Sequence, residues 1–377
     1  MTDSAAITGG YGFVGWHLAC RLRAVEGIDP VRIGRDHFSD PKRLSQVLKG
    51  VDTIHHLAGV NRAESDQAVE QGNIELAGTL GRAIEANGRP VHVVFGNSVQ
   101  SFRDNPYGRG KAEASRILAD AVHGVGGTFA DVVLPNIFGE HGRPNYNSFV
   151  ATFCSEIASG RKPRVIDDNQ VSLLHAQRAA AVFIDAAMRR QTEVLKPVGD
   201  QHLVSDVLER LMEFHERYSR GQIPALWDPF AIDLFNTYRS YMFPQHFPFK
   251  ATINADHRGE LFETVRFHGG TGQTFVSTTL PGVTRGDHYH LSKVERFFVL
   301  KGEAEIALRR VYDDAVIRFQ LKGEDRSFVD MPTMWVHNIT NIGDDELITL
   351  FWADQLLNPA APDTYWEPVA ANEEPAP

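Results

Sequence analysis

From residue 5 to about residue 200, short apolar runs alternate with segments of helical spacing. Ala5–Ile7, Val31–Ile33, Thr53–Leu57, Val91–Phe95 and Ala130–Leu134 predict strands, and intervening stretches such as Trp16–Val25 and Glu75–Ala86 predict helices. Strands and helices in alternation imply a parallel, doubly wound α/β sheet. Past about residue 258 the pattern changes. Gln273–Leu280, Arg296–Leu300, Ala304–Arg310, Val316–Leu321 and Leu347–Trp352 are separated by Pro-Gly, Lys-Gly and Gly-Asp-Asp turns, with few helical stretches between them. That texture predicts an antiparallel, all-β sandwich or barrel. The Pro- and aromatic-rich segment 221–249 fits neither pattern, and it places the domain boundary near Phe243-Pro244, dividing the chain into 1–243 and 244–377.

A chain of 377 residues is long for one core, in keeping with two domains. The net charge of -10 argues against a nucleic-acid or anionic-membrane partner, which would call for a basic face. Two cysteines, Cys20 and Cys154, cannot build a disulfide framework and are expected in apolar packing. No stretch of about 18 apolar residues and no charged-then-apolar leader is visible, so a cytoplasmic protein with a frayed 372–377 tail is expected.

Gly9, Gly12 and Gly15 follow the first strand and open a helix. Glycines there let the backbone approach a pyrophosphate resting on the helix N-terminus, which predicts a dinucleotide cofactor. The second strand ends at Arg35 rather than at an acidic residue. A guanidinium suits a 2′-phosphate, so NADPH is expected, with the neighbouring Asp36 as the feature that pulls the other way. Tyr107 and Lys111 stand four apart and would share a helix face, so that the phenol can pass a proton to a carbonyl oxygen while the ammonium lowers its pKa and holds the cofactor ribose. Ser98, at the end of the Val91–Phe95 strand, can hydrogen-bond the same oxygen.

His288 and His290, two apart, would point to one face of a strand, with Glu295 and His337 supplied from later ones. Three imidazoles and a carboxylate suit Zn2+ or another divalent transition metal.

With these motifs in this order, residues 5–215 resemble the extended short-chain dehydrogenase/reductase family: Thr8-Gly9-x-x-Gly12-Phe13-x-Gly15, His56-Leu57-Ala58-Gly59, Asn73, Ser98, Tyr107/Lys111 and Pro135-Asn136-Ile137-Phe138-Gly139. The resemblance implies a Rossmann domain in which Gly9, Gly12, Phe13, Val14, Arg35, Leu57, Ala58, Gly59, Lys111 and Pro135 line the cofactor. It also implies that Asn73 supports Lys111 through water and that Asn136 lies near a nucleotide-sugar. Sugar-nucleotide dehydratases of the family carry an Asp-Glu pair after the serine position. Here Ser98 is followed by Val99-Gln100-Ser101, which favours a simple reductase, and His175-Ala176-Gln177-Arg178 departs from the family's usual run.

Gly282, His288-x-His290, Glu295, Gly302, Pro332, His337 and Asn341 resemble the cupin signature, a jelly roll, although Met334 stands where cupins usually have glycine. A metal-free cupin with a histidine-lined pocket is the other reading. Asp256-x-Arg258-Gly259, Glu263 and Gly282-Val-Thr-Arg285-Gly286-x-His288-Tyr289 resemble the dTDP-4-dehydrorhamnose 3,5-epimerases, where the matching histidine is a base. The two resemblances compete for His288. If it binds metal, Lys293 or Tyr365 could move the proton. Arg258 and Arg285 could meet the substrate diphosphate.

Taken whole, the chain resembles the CapF/WbjC family of bacterial surface-polysaccharide enzymes. His56–Arg62, Asp104–Gly108, Pro144–Ser148, Ala151–Cys154 and Pro362-Asp-Thr-Tyr365 carry the likeness from residue 5 to 366. It implies a homodimer acting on a UDP-linked 4-keto-6-deoxy amino sugar. C3 epimerisation of UDP-2-acetamido-2,6-dideoxy-β-L-arabino-4-hexulose would precede NADPH-dependent reduction at C4, giving the L-talose precursor of UDP-N-acetyl-L-fucosamine. A single-activity 4-ketoreductase, with a cupin that only dimerises or binds ligand, is the alternative.

Overall fold

The computed structural model describes residues 4–251, 253–256, 259–262, 264–265, 267–268, 272–355, 358 and 360–370. The chain forms two compact units that interleave along the sequence. One comprises 1–138, 145–148 and 169–203; the other comprises 139–144, 149–168 and 204–377. Among the described residues no helix is long and apolar enough to cross a membrane.

In the first unit the strands are β1 (Ala5–Thr8), β2 (Val31–Ile33), β3 (Thr53–His56), β4 (His92–Ser98), β5 (Thr128–Leu134), β6 (Asn136–Phe138), β7 (Gln170–His175), β8 (Glu193–Leu195) and β9 (Asp200–Leu203). Six of them form a sheet in the order β2-β1-β3-β4-β5-β8, parallel at every pairing. β6, β7 and β9 form a small separate sheet. The doubly wound expectation is met. Central strands β1 and β3 are buried along their whole length, as strands covered on both faces must be. The helix expected at Trp16–Val25 runs Phe13–Arg21 and then widens into a π-turn over Leu22–Glu26. The one expected at Glu75–Ala86 starts earlier, at Asp66, because Ser65 Oγ caps it by accepting from Ala68 N–H at 3.2 Å.

In the second unit the strands are β10 (Phe249–Lys250), β11 (Ile253–Asp256), β12 (Gly259–Phe262), β13 (Gln273–Thr279), β14 (Thr284–Tyr289), β15 (Glu295–Lys301), β16 (Glu303–Arg310), β17 (Val316–Lys322), β18 (Ser327–Met331), β19 (Trp335–Asn341), β20 (Leu347–Ala353) and β21 (Tyr365–Trp366). Two five-stranded sheets result, ordered β10-β18-β15-β20-β13 and β17-β16-β19-β14-β21, with β11-β12 a separate hairpin. All these pairings are antiparallel, as expected from the texture past residue 258. One apolar cluster joins Phe297 and Val299 of β15, Ile306 and Leu308 of β16, Ile339 of β19 and Phe351 of β20, so the sheets pack face to face as a sandwich. Helices Val204–Tyr218 and Pro229–Met242 belong to this unit. Arg296 and Asp330, both fully buried, pair at 2.7 Å, and Tyr218 donates its hydroxyl to the same carboxylate.

Gly15 shows why the glycine motif is where it is. A Cβ there would lie 2.2 Å from the carbonyl oxygen of Gly9, whose own φ of +69° turns the chain off β1. Gly15→Ala is therefore expected to lower stability by roughly 1–3 kcal/mol, read from urea unfolding midpoints. An unchanged midpoint would contradict so close an approach of helix and turn.

Candidate functional site

The Pro106–Gly124 helix carries Tyr107 and Lys111. Asn105 starts it by accepting from Gly108 N–H at 2.8 Å. A Cβ on Gly108 would come within 2.4 Å of two carbonyl oxygens, those of Gln100 and Arg103, so glycine lets the tyrosine-bearing turn settle onto the 99–103 segment. Lys111 is buried, lies 4.0 Å over the Phe95 ring and donates to Gly96 O at 2.6 Å. Ser98 closes β4, and its Oγ accepts from Gln100 N–H at 3.2 Å. Thus Ser98 and Lys111 stand at the carboxyl end of the central strand, where open α/β sheets place their chemistry, and Tyr107 lies one turn before Lys111 on the same helix.

Burial pushes the Lys111 ammonium down to about 7, against the pull of Asp131. Burial, and less so Tyr146, pushes the Tyr107 phenol up. Desolvation of the phenolate is the larger of these two causes.

Sequence reasoning missed what stands behind these residues. Asp131 on β5 accepts from Asn97 at 3.0 Å and from Ser115 at 2.6 Å, and Asn97 in turn accepts from Ser98 N–H at 2.8 Å. A buried carboxylate thus orients the serine through one amide. Only the alternation of β4, which turns Asn97 inward, hints at this.

Gly9, Gly12, Phe13 and Val14 sit at the tip of β1 and the start of its helix, and Leu57, Ala58 and Gly59 follow β3. Asn73 is buried and ties down that loop, donating to Val60 O at 2.7 Å and accepting from Val60 N–H at 3.1 Å. Arg35 is exposed immediately after β2, and no ion pair engages it among the described residues. Asp36 is taken up by Arg43 at 3.0 Å and His37 at 3.1 Å. Pro135 and the exposed Asn136 join β5 to β6. His175 ends β7 and caps the following helix, while Gln177 reaches His17 of the first helix at 3.1 Å.

In the second unit His288, His290, Glu295 and His337 come together, their ligand atoms all within 4.8 Å of one another. A bulge at Asp287, φ 56°, shifts the register of β14 against β19 and brings His288 opposite His337. Glu295 arrives from the other sheet, at the start of β15. Its Oε2 lies 3.0 Å from His290 Nε2, 3.7 Å from His337 Nε2 and 4.0 Å from His288 Nε2.

The proton positions follow from the other ring nitrogens. His290 Nδ1 faces Asp363 O at 2.6 Å, and His337 Nδ1 faces Trp335 O at 3.0 Å. A carbonyl can only accept, so each Nδ1 carries a hydrogen, and in the neutral ring the Nε2 lone pair then faces inward. Both of those Nε2 atoms are buried and make no hydrogen bond. Burial holds His337 down at about 4. Inward lone pairs around a carboxylate are the donor set of a divalent metal site, and the residues fit zinc.

Met334, where glycine is usual, adopts φ 61° and donates its N–H to His290 O at 2.7 Å. Lys293 is buried with its Nζ 3.8 Å from Glu295, and Tyr365 lies on β21 beside β14. Arg285 is exposed and turned onto Thr279 Oγ1 at 3.1 Å. Arg258 and Glu263 lie outside the described residues.

Comparison with known proteins agrees with both halves. Residues 5–196 match the NAD dependent epimerase/dehydratase family, and residues 254–365 match the polysaccharide biosynthesis C-terminal domain. A Pseudomonas aeruginosa protein named UDP-2-acetamido-2,6-beta-L-arabino-hexul-4-ose reductase is 32% identical over 363 residues, 95% of this chain and 97% of the relative. The chain belongs to the CapF/WbjC family. The crystal structure of the capsular polysaccharide assembling protein CapF from Staphylococcus aureus has 29% identity and a TM-score of 0.61 over 97% of this chain and 99% of that one. CapF with the inhibitor 3-isopropenyl-tropolone aligns at 28% identity and TM-score 0.57 over the same shares. At 21% identity, a UDP-N-acetylglucosamine 4-epimerase from Methanobrevibacter ruminantium shares the fold over 57% of this chain and 83% of its own, with a TM-score of 0.51. The N-terminal fold is one that takes a nicotinamide cofactor.

The buried Lys111 generates a pH prediction. Its folded value of about 7 lies below the ordinary 10.5, so between these pH values the unfolded chain binds more protons and stability rises with pH. Wild type should gain on Lys111→Met by up to about 1.4 kcal/mol per pH unit across that window. Urea titrations at several pH values check this, and a difference independent of pH would contradict it.

Proposed function

We propose that the protein is an NADPH-dependent nucleotide-sugar 4-ketoreductase with 3-epimerase activity, working in the cytoplasm as a homodimer on a bacterial capsule or O-antigen precursor. The reading divides the work between 1–243, the reductase, and 244–377, the zinc-binding cupin. Its substrate is UDP-2-acetamido-2,6-dideoxy-β-L-arabino-4-hexulose and its product UDP-2-acetamido-2,6-dideoxy-L-talose, towards UDP-N-acetyl-L-fucosamine. The observation that carries the reading is the presence, in one chain, of the Ser98/Tyr107/Lys111 group and the inward-facing His288/His290/Glu295/His337 cluster.

The order of steps follows from carbonyl chemistry. A 4-ketone acidifies the C3–H bond, so C3 can be inverted only before C4 becomes an alcohol. NADPH, when bound, supplies the hydride, and zinc, when bound, supplies a Lewis acid that polarises the ketone. Ser98 holds the 4-keto oxygen by a hydrogen bond, its own N–H fixed by Asn97. Tyr107, kept protonated by burial, gives its proton to that oxygen as it becomes an alcohol. Asn73 serves Lys111 through water, and Arg35 meets the 2′-phosphate, its acidic neighbour being already paired with Arg43 and in contact with His37. In the cupin His288, His290, Glu295 and His337 hold the ion, which leaves Lys293 and Tyr365 to move the C3 proton. Asn136, Arg258 and Arg285 bind the nucleotide-sugar. No carboxylate follows Ser98, in keeping with reduction rather than dehydration.

A second reading, a 4-ketoreductase whose cupin only dimerises or binds ligand, draws on the reductase name of the Pseudomonas relative. NMR of the UDP-4-keto sugar in deuterated water separates the two. Tyr107→Phe should slow NADPH oxidation by about a hundredfold or more while solvent deuterium still enters C3. His337→Ala should lose that exchange. Exchange lost in Tyr107→Phe would contradict two separable sites, and wild type without exchange would favour the second reading. Arg35→Ala should raise KM for NADPH about tenfold and leave that for NADH nearly unchanged; equal losses would sink the NADPH assignment.

A further inference from the structure

The Pro362-Asp-Thr-Tyr365 run enters the chemistry above only through Tyr365, yet Asp363 touches the metal cluster from two directions. Its carbonyl oxygen accepts the Nδ1 hydrogen of His290 at 2.6 Å. Its carboxylate accepts from three successive backbone N–H groups, Leu291 at 3.0 Å, Ser292 at 2.9 Å and Lys293 at 2.9 Å, and from Ser292 Oγ at 2.8 Å. Those three are the first of the four residues between His290 and Glu295. One residue therefore fixes the tautomer of one ligand and the path of the chain to the next. It does so from a φ of 43°, a left-handed conformation that Asp tolerates when its side chain is locally bonded.

The residues after it are fastened to the same strand. β21 pairs with β14 at His288↔Trp366 and Tyr289↔Tyr365. Glu367 N–H donates to Asp287 O at 2.9 Å, at the bulge that aims His288. Arg309, buried on β16, holds the far end through Val369 O at 2.7 Å and Glu367 at 2.6 Å. Thr364 Oγ1 accepts from Lys293 Nζ at 2.9 Å.

We infer that residues 362–369 are a clasp for the metal, with Asp363 as its positioning residue, so that closing the clasp and binding the ion are one coupled equilibrium. This rests on the metal reading of the histidine cluster. Open, the clasp leaves the His290 tautomer unset and the 291–293 N–H groups unsatisfied. Closed, it presents Nε2 to the ion. Partners of this kind behind a ligand are worth about 10–100-fold in metal affinity. By linkage, the ion must favour the closed clasp by the same factor that the clasp favours the ion.

The test uses zinc and the full chain. In competition with a chromophoric chelator, Asp363→Ala should bind zinc about 10–100-fold more weakly than wild type, with Asp363→Asn, which keeps one acceptor oxygen, in between. Chymotrypsin cutting at Tyr365 and Trp366 should be slowed by zinc in wild type and much less so in Asp363→Ala. A strap that merely completes the sheet predicts cleavage indifferent to zinc, and that result in wild type overturns the proposal even if the variants fail to fold. Wild-type affinity retained in a folded Asp363→Ala also overturns it. Wild type that binds no zinc removes the metal reading and the clasp with it.

Discussion

A carboxylate and a ring of imidazole lone pairs cannot share a buried pocket without a cation between them. Glu295 faces three Nε2 atoms across 3.0–4.0 Å, and in two of those rings the Nδ1 hydrogen is given to a carbonyl, so that the neutral ring turns a lone pair towards the carboxylate. Unrelieved, such a site would cost several kcal/mol of stability. The surrounding sandwich is arranged around this constraint. A bulge re-aims one ligand, a left-handed Met334 closes the turn before the last one, and the opposite sheet delivers the carboxylate. Specific backbone conformations of this kind persist where packing over-determines them.

The first unit handles the opposite charge by similar means. Lys111 is sunk into the sheet, where burial drives its proton off towards neutrality and only a carbonyl and an aromatic face receive it. Asp131, buried on the neighbouring β5, balances that charge and at the same time orders Asn97 and Ser98. In each unit a costly buried ion fixes where the neighbouring reactive groups point.

What could be read along the chain is what the chain writes locally. Gly9, Gly12 and Gly15 mark a turn whose meaning does not depend on distant residues, and the four-residue step from Tyr107 to Lys111 is a property of any helix. Five sandwich strands, β13, β15, β16, β17 and β20, showed through their turns, each falling within a residue or so of its expected ends. The start of the Asp66–Asn87 helix was hidden because its first turns are polar and carry no apolar period. β6 and β8, three residues each, are too short to show alternation. The supports of the two sites were out of reach for a different reason. Asp131 and Asn97 are 34 positions apart, and Asp363 and His290 are 73 apart. Nothing in either neighbourhood records the other. Met334 shows the limit of motif reading from another side: the position needs a positive φ, which glycine meets most easily but which a well-bonded methionine also meets.

The interleaved path of the chain bears on how the protein is made. Residues 139–144 and 149–168 leave the ribosome between segments of the first unit, yet they pack with a unit whose remaining strands follow only after residue 204. They include the Phe149–Ala158 helix, six of whose ten side chains are buried in the finished fold. The helices it packs against, Val204–Tyr218 and Pro229–Met242, are complete only about 85 residues later, so at ~5–20 residues per second that apolar face waits for its partners. The nascent chain thus passes through a period of roughly 4–17 seconds in which an apolar helix face in its middle is uncovered, a surface that a chaperone could protect.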